Sequence, residues 1–318
     1  MSKYTDVMNS FGEVFYPNDI LETIPDIIGY EEQKSFLHDF YSALQSIQKL
    51  AETDEALPFG VTLSALLTGP PGTGKTTLCK AFAKEYEIPI FLIYADSLIG
   101  SILGKTLSNI RDALSSAHKY AQTEGPIIVF FDEIDAIASE RSSVYEVGEI
   151  KRAVVTLLQR MDTILASGSP IAFLGATNHQ HLLDSAVWRR FCYHITFPFP
   201  GIAMRKTIMS NFLNQLKDSI ITLQVTDSNL DTLASDEITG GFTGADLKRG
   251  FQIGILRGFK DKVLTEGILT ESLLSAGGTK QHIENEKRMS GRTDESEDNS
   301  LIQPDKSTSI LKKSKKVF

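Results

Sequence analysis

One eight-residue segment constrains this chain more than any other. Gly69-Pro-Pro-Gly72-Thr-Gly74-Lys75-Thr76 fits the pattern G-x-x-x-x-G-K-[ST]. It follows an apolar run at 61–67 and opens a helix predicted over 75–86, the context the pattern requires. Its glycines let the backbone curl so that N–H groups point inward around phosphate oxygens. The helix N-terminus adds a favourable dipole. Lys75 is suited to neutralise the β- and γ-phosphates, and the Thr76 hydroxyl to ligate magnesium. The predicted nucleotide contacts are Pro71, Gly72, Thr73, Gly74, Lys75, Thr76 and Thr77.

The rest of the chain repeats the strand-then-helix pattern. Strands are expected at 88–94, 127–131, 171–175 and 194–197, and helices at 31–50, 106–121 and 149–164. In the first of these helices Phe36, Leu37, Phe40, Leu44 and Ile47 recur at spacings of three and four, which defines one apolar face. Continuous apolar runs such as 127–131 read as strands buried on both faces of a parallel sheet. The alternation predicts an α/β layer fold.

Two strands end in chemistry. The run 127–131 stops at Asp132-Glu133. Asp132 is suited to hold the magnesium shell, and Glu133 to polarise a water against the γ-phosphate, since water alone is a weak nucleophile. The run that begins at Ile171 stops at Thr177-Asn178. In the usual sheet order that tip lies between the phosphate-loop strand and the Asp132 strand. There Asn178 is suited to orient the attacking water or a phosphate oxygen.

After Pro198 and Pro200 the pattern becomes helical, with helices expected at 203–216, 230–234, 245–259 and 269–274 and no strand required. From Ser275 only nine of 44 residues are apolar, which predicts a disordered tail. That tail holds nine Lys/Arg against seven Asp/Glu, so the net charge of −8 hides a body of 23 basic and 33 acidic groups. An acidic body argues against a nucleic-acid clamp. Two cysteines, Cys79 and Cys192, make neither a disulfide framework nor a zinc site. No apolar stretch approaches ~20 residues and the N-terminus has no signal core, so the expectation is a cytoplasmic protein without a membrane span.

The three strand-tip motifs together resemble the AAA+ ATPases, specifically the AAA subgroup and its small bacterial members. The likeness runs from about Asp26 to Leu274. Asp26-Ile-Ile28-Gly29 looks like the family's opening motif, whose backbone lies near adenine. Leu183-Asp184-Ser-Ala-Val-Trp188-Arg189-Arg190-Phe191 resembles the arginine-finger region, and Thr239-Gly-Gly-Phe-Thr-Gly244-Ala245-Asp246 the sensor-2 segment of the lid. The resemblance implies a P-loop αβα domain with a five-stranded parallel sheet, followed by a helical lid. The corresponding divisions are an arm at 1–25, an ATPase domain at 26–200, a lid at 201–274 and the tail at 275–318. It also implies ATP and Mg2+ as cofactors, a homo-oligomeric ring (usually a hexamer) and a protein client. Asp26, Ile28, Gly29, Gly244 and Ala245 would then line the nucleotide, and Arg189 and Arg190 would reach the γ-phosphate of the adjacent subunit. Either both arginines are fingers, or one is and the other forms a structural ion pair.

The sequence also departs from the family pattern. Ile102 stands where peptide-threading members carry an aromatic residue on a pore loop, and Lys105 replaces a usual Glu. No His-Glu-x-x-His occurs, so the zinc protease some relatives carry is not expected here. No recruitment domain of any size precedes Asp26, which points to a separately encoded partner. Arg141 falls in an expected second pore loop. His179 and His181 supply only two ligands and read as surface or phosphate-proximal residues. Trp188 reads either as a subunit-boundary residue or as an internal one.

Overall fold

In the computed structural model the described residues are 3–53, 62–94, 98, 105–138, 147–217 and 219–289. Ile102, Arg141 and the tail from residue 290 lie outside them. Met1–Lys280 form one compact unit and Gln281–Phe318 a second.

The elements of the sheet domain are α1 (Lys3–Met8), β1 (Gly12–Phe15), α2 (Glu31–Thr53), β2 (Ser64–Thr68), α3 (Lys75–Glu85), β3 (Ile90–Tyr94), α4 (Lys105–Thr123), β4 (Ile127–Asp132), α5 (Asp135–Ala138), α6 (Val147–Ala166), β5 (Ile171–Thr177), α7 (Ser185–Arg190) and β6 (Tyr193–Thr196). Six strands form one sheet in the order β1-β3-β4-β5-β2-β6. Five of them, β2 to β6, run parallel. Their side chains alternate between two cores. Leu66, Phe91, Val129, Phe131 and Phe173 pack with α4 and α6. Leu67, Leu92, Ile128, Phe130 and Leu174 pack with α2 and α3. Burial on both faces is the physical reason β2 to β5 are apolar along most of their length, whereas the edge strand β6 buries only Ile195. Truncating Phe130 or Phe173, both fully buried, to alanine would cost ~3–5 kcal/mol.

The N-terminal residues are not a loose arm. β1 pairs antiparallel with β3, Gly12 opposite Ile93 and Phe15 opposite Ile90. A Cβ on Gly12 would lie 2.0 Å from the Leu92 carbonyl oxygen, so only glycine fits that approach. Met8 and Val14 belong to the core, Lys80 of α3 stacks over the Phe15 ring at 3.6 Å, and Lys84 Nζ donates to the Ile20 carbonyl. The sheet thus gains a sixth, antiparallel edge strand, which covers the open edge of β3.

The lid elements are α8 (Ile202–Leu216), β7 (Thr222–Gln224), α9 (Asp227–Leu233), α10 (Asp236–Thr239), α11 (Gly244–Gly258), β8 (Val263–Thr265) and α12 (Glu266–Ala276). They enclose a third core that includes Met209, Leu233, Leu247, Phe251, Leu264 and Leu273. The expectation of a strandless lid is corrected, because β7 and β8 form a two-stranded parallel pair. The expectation of disorder from residue 275 is also corrected through residue 289. Ser275 and Ala276 complete α12, and α13 (Thr279–Met289) follows. Its composition is polar, but Lys, Gln, Glu, Arg and Met are good helix formers. Among the described residues no helix is long and apolar enough to cross a membrane.

Candidate nucleotide site

Because β5 lies between β2 and β4, the polar tips of all three strands meet at one end of the sheet. The glycine-rich turn leaves β2 with Gly69, Gly72 and Gly74 at positive φ and enters α3 at Lys75. Lys75 is buried, and its Nζ donates to the carbonyls of Gly69 at 2.7 Å and Pro70 at 2.9 Å and to Asn178 Oδ1 at 2.8 Å. Burial pulls its pKa down to about 8, against the opposing fields of Asp132 and Asp135. The Thr76 hydroxyl donates to Asp132 Oδ2 at 3.1 Å. These two are hard oxygen donors brought to one point, the chemistry that magnesium selects.

Glu133 follows directly. Its N–H donates to Asp132 Oδ1 at 3.1 Å. It is exposed and has φ 51°, a left-handed conformation that costs an L-residue ~1–2 kcal/mol. A second layer fixes both tips. The Ile134 N–H donates to the Ala176 carbonyl at 3.0 Å. The Thr177 hydroxyl donates to Asp135 Oδ1 at 2.6 Å and accepts the His179 N–H at 3.0 Å. Asn178 is therefore held between two anchored neighbours. His179 and His181 are exposed, and among the described residues no group of three metal-binding side chains forms.

The lid closes onto this loop through the start of α11. The Ala245 N–H donates to the Gly72 carbonyl at 3.2 Å. Buried Asp246 braces that helix start. Its Oδ2 accepts from the Thr243 N–H, the Thr243 hydroxyl and the Thr279 N–H, each at 2.9 Å, and its Oδ1 accepts from Arg249 at 3.0 Å. The opening motif lies on the same lid. Ile28 packs against its core, and a Cβ on Gly29 would meet Met204 Sδ at 2.6 Å. The Asp26 carboxylate is turned to the main chain and hydroxyl of Thr23. Thr73 is buried and donates to the Pro70 carbonyl at 2.9 Å, whereas Pro71 is exposed.

The arginine segment forms α7, capped by Asp184, whose Oδ1 accepts the Ala186 N–H at 2.7 Å. Two contacts tie it to the sheet. The buried Ser64 hydroxyl, on the first residue of β2, donates to the Arg190 carbonyl and accepts the Cys192 N–H, both at 3.1 Å. The Trp188 ring stacks on His194 of β6, with centroids 3.9 Å apart and planes 4° from parallel. This gives Trp188 an internal partner. Arg190 Nε lies 3.3 Å from Asp162 Oδ2 on α6. Arg189 is exposed and has no hydrogen-bond or ion-pair partner among the described residues.

Sequence reading missed Asp135, Thr177, Ser64, Asp162 and His194 as members of the site, and noted Asp246 only within a motif. Asp135 and Thr177 sit next to expected residues and were open to detection as strand-end hydroxyl and acid. The others act across long separations in sequence and leave no local signal.

A phosphate loop at the end of β2, an acid pair one strand beyond its neighbour β5 and a helical lid seated on the loop define a P-loop nucleotide-binding fold. Residues 65–199 match the family model described as ATPase family associated with various cellular activities (AAA). The chain is 35% identical over 230 residues to the ATP-dependent zinc metalloprotease FtsH 4 of Synechocystis sp., covering 71% of this chain and 34% of that protein. It is 31% identical over 226 residues to a putative 26S proteasome regulatory subunit homolog of Methanothermobacter marburgensis, covering 71% and 55%. The chain thus spans roughly a third to a half of these curated relatives. Among solved structures, the FIGL-1 AAA domain in complex with ADP superposes with a TM-score of 0.68 at 22% identity, over 90% of this chain and 96% of that one. A chain of the E. coli MS115-1 HORMA:CdnC:Trip13 complex gives 0.67 at 21%, over 84% and 95%. The chain belongs to the AAA+ ATPase superfamily.

Proposed function

We propose that this chain hydrolyses ATP with Mg2+ in a homo-oligomeric ring, a hexamer by family analogy, and uses the cycle to remodel a protein partner. One observation carries the reading: Lys75 meets Asn178, and Thr76 meets Asp132, at the tips of adjoining parallel strands. Thr76 and Asp132 would hold magnesium, which supplies charge neutralisation on the phosphates when bound. Lys75 neutralises the β- and γ-oxygens, Glu133 takes the proton of the attacking water, and Asn178 orients that water or a phosphate oxygen. Pro71 to Thr77 wrap the phosphates. Asp26, Ile28 and Gly29 contribute main chain beside the adenine, and Gly244 and Ala245 close over it. An exposed Arg189 supports a role for the α7 arginines at a neighbouring copy's phosphate.

The relatives support a protein client. One is a protease and one a proteasome subunit homolog by name, and one fold neighbour was solved in a HORMA:CdnC:Trip13 complex. A cytoplasmic motor serving a separately encoded protease is one form this takes. The acidic body disfavours DNA, and salt-sensitive DNA binding would count against that part of the reading.

The test is steady-state ATP turnover of wild type and Glu133→Gln. Removing a general base should cost ~10²–10⁴-fold in turnover while ATP still binds. Equal, robust turnover in both would remove Glu133 from its role. A second reading, an ATP-dependent switch or scaffold with slow turnover, is favoured by Ile102, which offers a chain less contact area than an aromatic. Fast turnover stimulated by a protein partner would exclude it.

A further inference from the structure

We propose that the lid carries a docking groove for an extended peptide segment of a protein partner, which adds as a strand to the open edge of β7. The groove shares no residue with the nucleotide site, so the proposal does not depend on the ATPase reading. Three observations carry it.

The first is an unused edge. Successive residues of a strand turn their main-chain groups to opposite sides. The Thr222 N–H donates to the Lys262 carbonyl at 2.7 Å, and Thr222–Gln224 pair with Val263–Thr265. Thr222 and Gln224 therefore face β8, and Leu223 turns its N–H and carbonyl away from it. Among the described residues this sheet has only the two strands, so β7 keeps one edge open. Such an edge is a template for another strand.

The second is a groove beside that edge. It holds about 580 Å³ and is walled by α8, the turn at 219–221, β7 and the start of α9, a size usual for ligand sites. No residue of β8 lines it, so it lies on the side that β8 leaves open. Its lining includes the buried Leu213 and Leu230, the half-buried Leu223 and Val225, and Ile220, which is 65% exposed.

The third is charge. Two lining residues are charged: Lys217, just before β7 in the chain, and Asp227, just after it. Both are exposed, and neither makes an ion pair among the described residues. A strand laid along β7 meets a cation toward one end and an anion toward the other. The occupant is thereby defined as an extended segment with apolar side chains at alternate positions, an acid at one end and a base at the other. Main-chain bonds supply its affinity, and the alternate side chains its selectivity. The chain's own last stretch, 306–318, has five lysines and no acidic side chain, so it does not match this pattern and a partner does.

The experiment measures fluorescence anisotropy with the full chain and no nucleotide, so ATP turnover has no bearing on the result. The probes are fluorescein-labelled Glu-Val-Thr-Val-Thr-Lys and its twin with the end charges exchanged. One should bind about fivefold more tightly than the other, and Lys217→Glu combined with Asp227→Lys should reverse the preference. N-methylation of the probe's amides, one at a time, should weaken binding about fivefold to tenfold at alternate positions and stay within twofold at the rest. Ile220→Ser should weaken binding about threefold to tenfold and leave thermal unfolding unchanged, because the side chain is already largely exposed. The proposal is overturned if neither probe binds, which includes a groove held by the chain's own tail or by a second copy. It is also overturned if both probes bind equally well, or if N-methylation shows no alternation.

Discussion

Gly72→Ala tests how firmly the lid sits on the phosphate loop. Gly72 has φ +78°, and an added Cβ would lie 2.7 Å from the Ala245 Cβ and 2.8 Å from Thr243 Oγ1. Two terms add. An L-residue in this left-handed region costs ~1–2 kcal/mol. Methyl carbons need ~3.5–4.0 Å, so the start of α11 must withdraw by about 1 Å. That withdrawal breaks the 3.2 Å bond from the Ala245 N–H to the Gly72 carbonyl, worth ~0.5–1.5 kcal/mol. The sum is roughly 1.5–3.5 kcal/mol, or about 10–400-fold in the folding equilibrium. In thermal unfolding it should appear as a drop of roughly 5 °C. The decisive assay is a double-mutant cycle with Ala245→Gly, which removes the facing Cβ and leaves the φ cost in place. The two substitutions should couple by about 1 kcal/mol, the alanine being less costly when residue 245 is glycine. If Gly72→Ala costs the same in both backgrounds within ~0.3 kcal/mol, the steric argument is refuted.

Three further outcomes are expected. Lys75, held near a pKa of about 8 by burial, becomes fully protonated against phosphate. ADP binding at pH 8 should therefore take up about half a proton per site, and affinity should fall as pH rises above that value. Calorimetry in two buffers of different ionisation heat reads this uptake, and no uptake between pH 7.5 and 9 would contradict it. In the absence of nucleotide the native state binds fewer protons here than the unfolded chain does between that pKa and the ordinary lysine value. Stability should rise with pH across this window, which chemical unfolding at pH 8 and 10 can check. Asp246→Asn converts one buried acceptor oxygen into a donor facing Arg249 or the Thr243 and Thr279 N–H groups. It should cost ~1–3 kcal/mol in thermal unfolding, and an unchanged midpoint would show that the carboxylate does not brace the lid.

Legibility in the sequence followed the range of the interactions. The phosphate loop, Asp132-Glu133 and Asn178 were readable because each is a short local pattern at the end of an apolar run, and two-sided burial makes such runs unmistakable. β1 was missed because only Val14 of its four residues is buried, and its pairing with β3 spans nearly eighty positions. β7 and β8 have three residues each and a partner forty positions away, too little for alternation to show. α13 was misread because composition was averaged over a segment whose first part is helical. Ser64 looked like the polar start of a strand, and Asp162 like a solvated helix acid. Neither residue names its partner until the fold brings α7 alongside.

The bridge at Ser64 has a thermodynamic consequence. β2 ends in the loop proposed to wrap one nucleotide and begins at the hydroxyl that fixes the arginine helix. The two sites therefore share a rigid rod about 17 Å long. Under the ring reading, if filling one loop shifts this strand, the fit of Arg189 in the adjoining copy changes by some free energy, typically ~1–3 kcal/mol for such coupling. Equilibrium linkage then requires the debt to run backwards in equal amount. Engagement of Arg189 by the neighbour must alter the affinity of this chain's own loop by the same factor. A single serine hydroxyl would thus make binding around the ring sequential rather than independent. Measured ADP isotherms should depart from a single-site curve in wild type and approach one in Ser64→Ala.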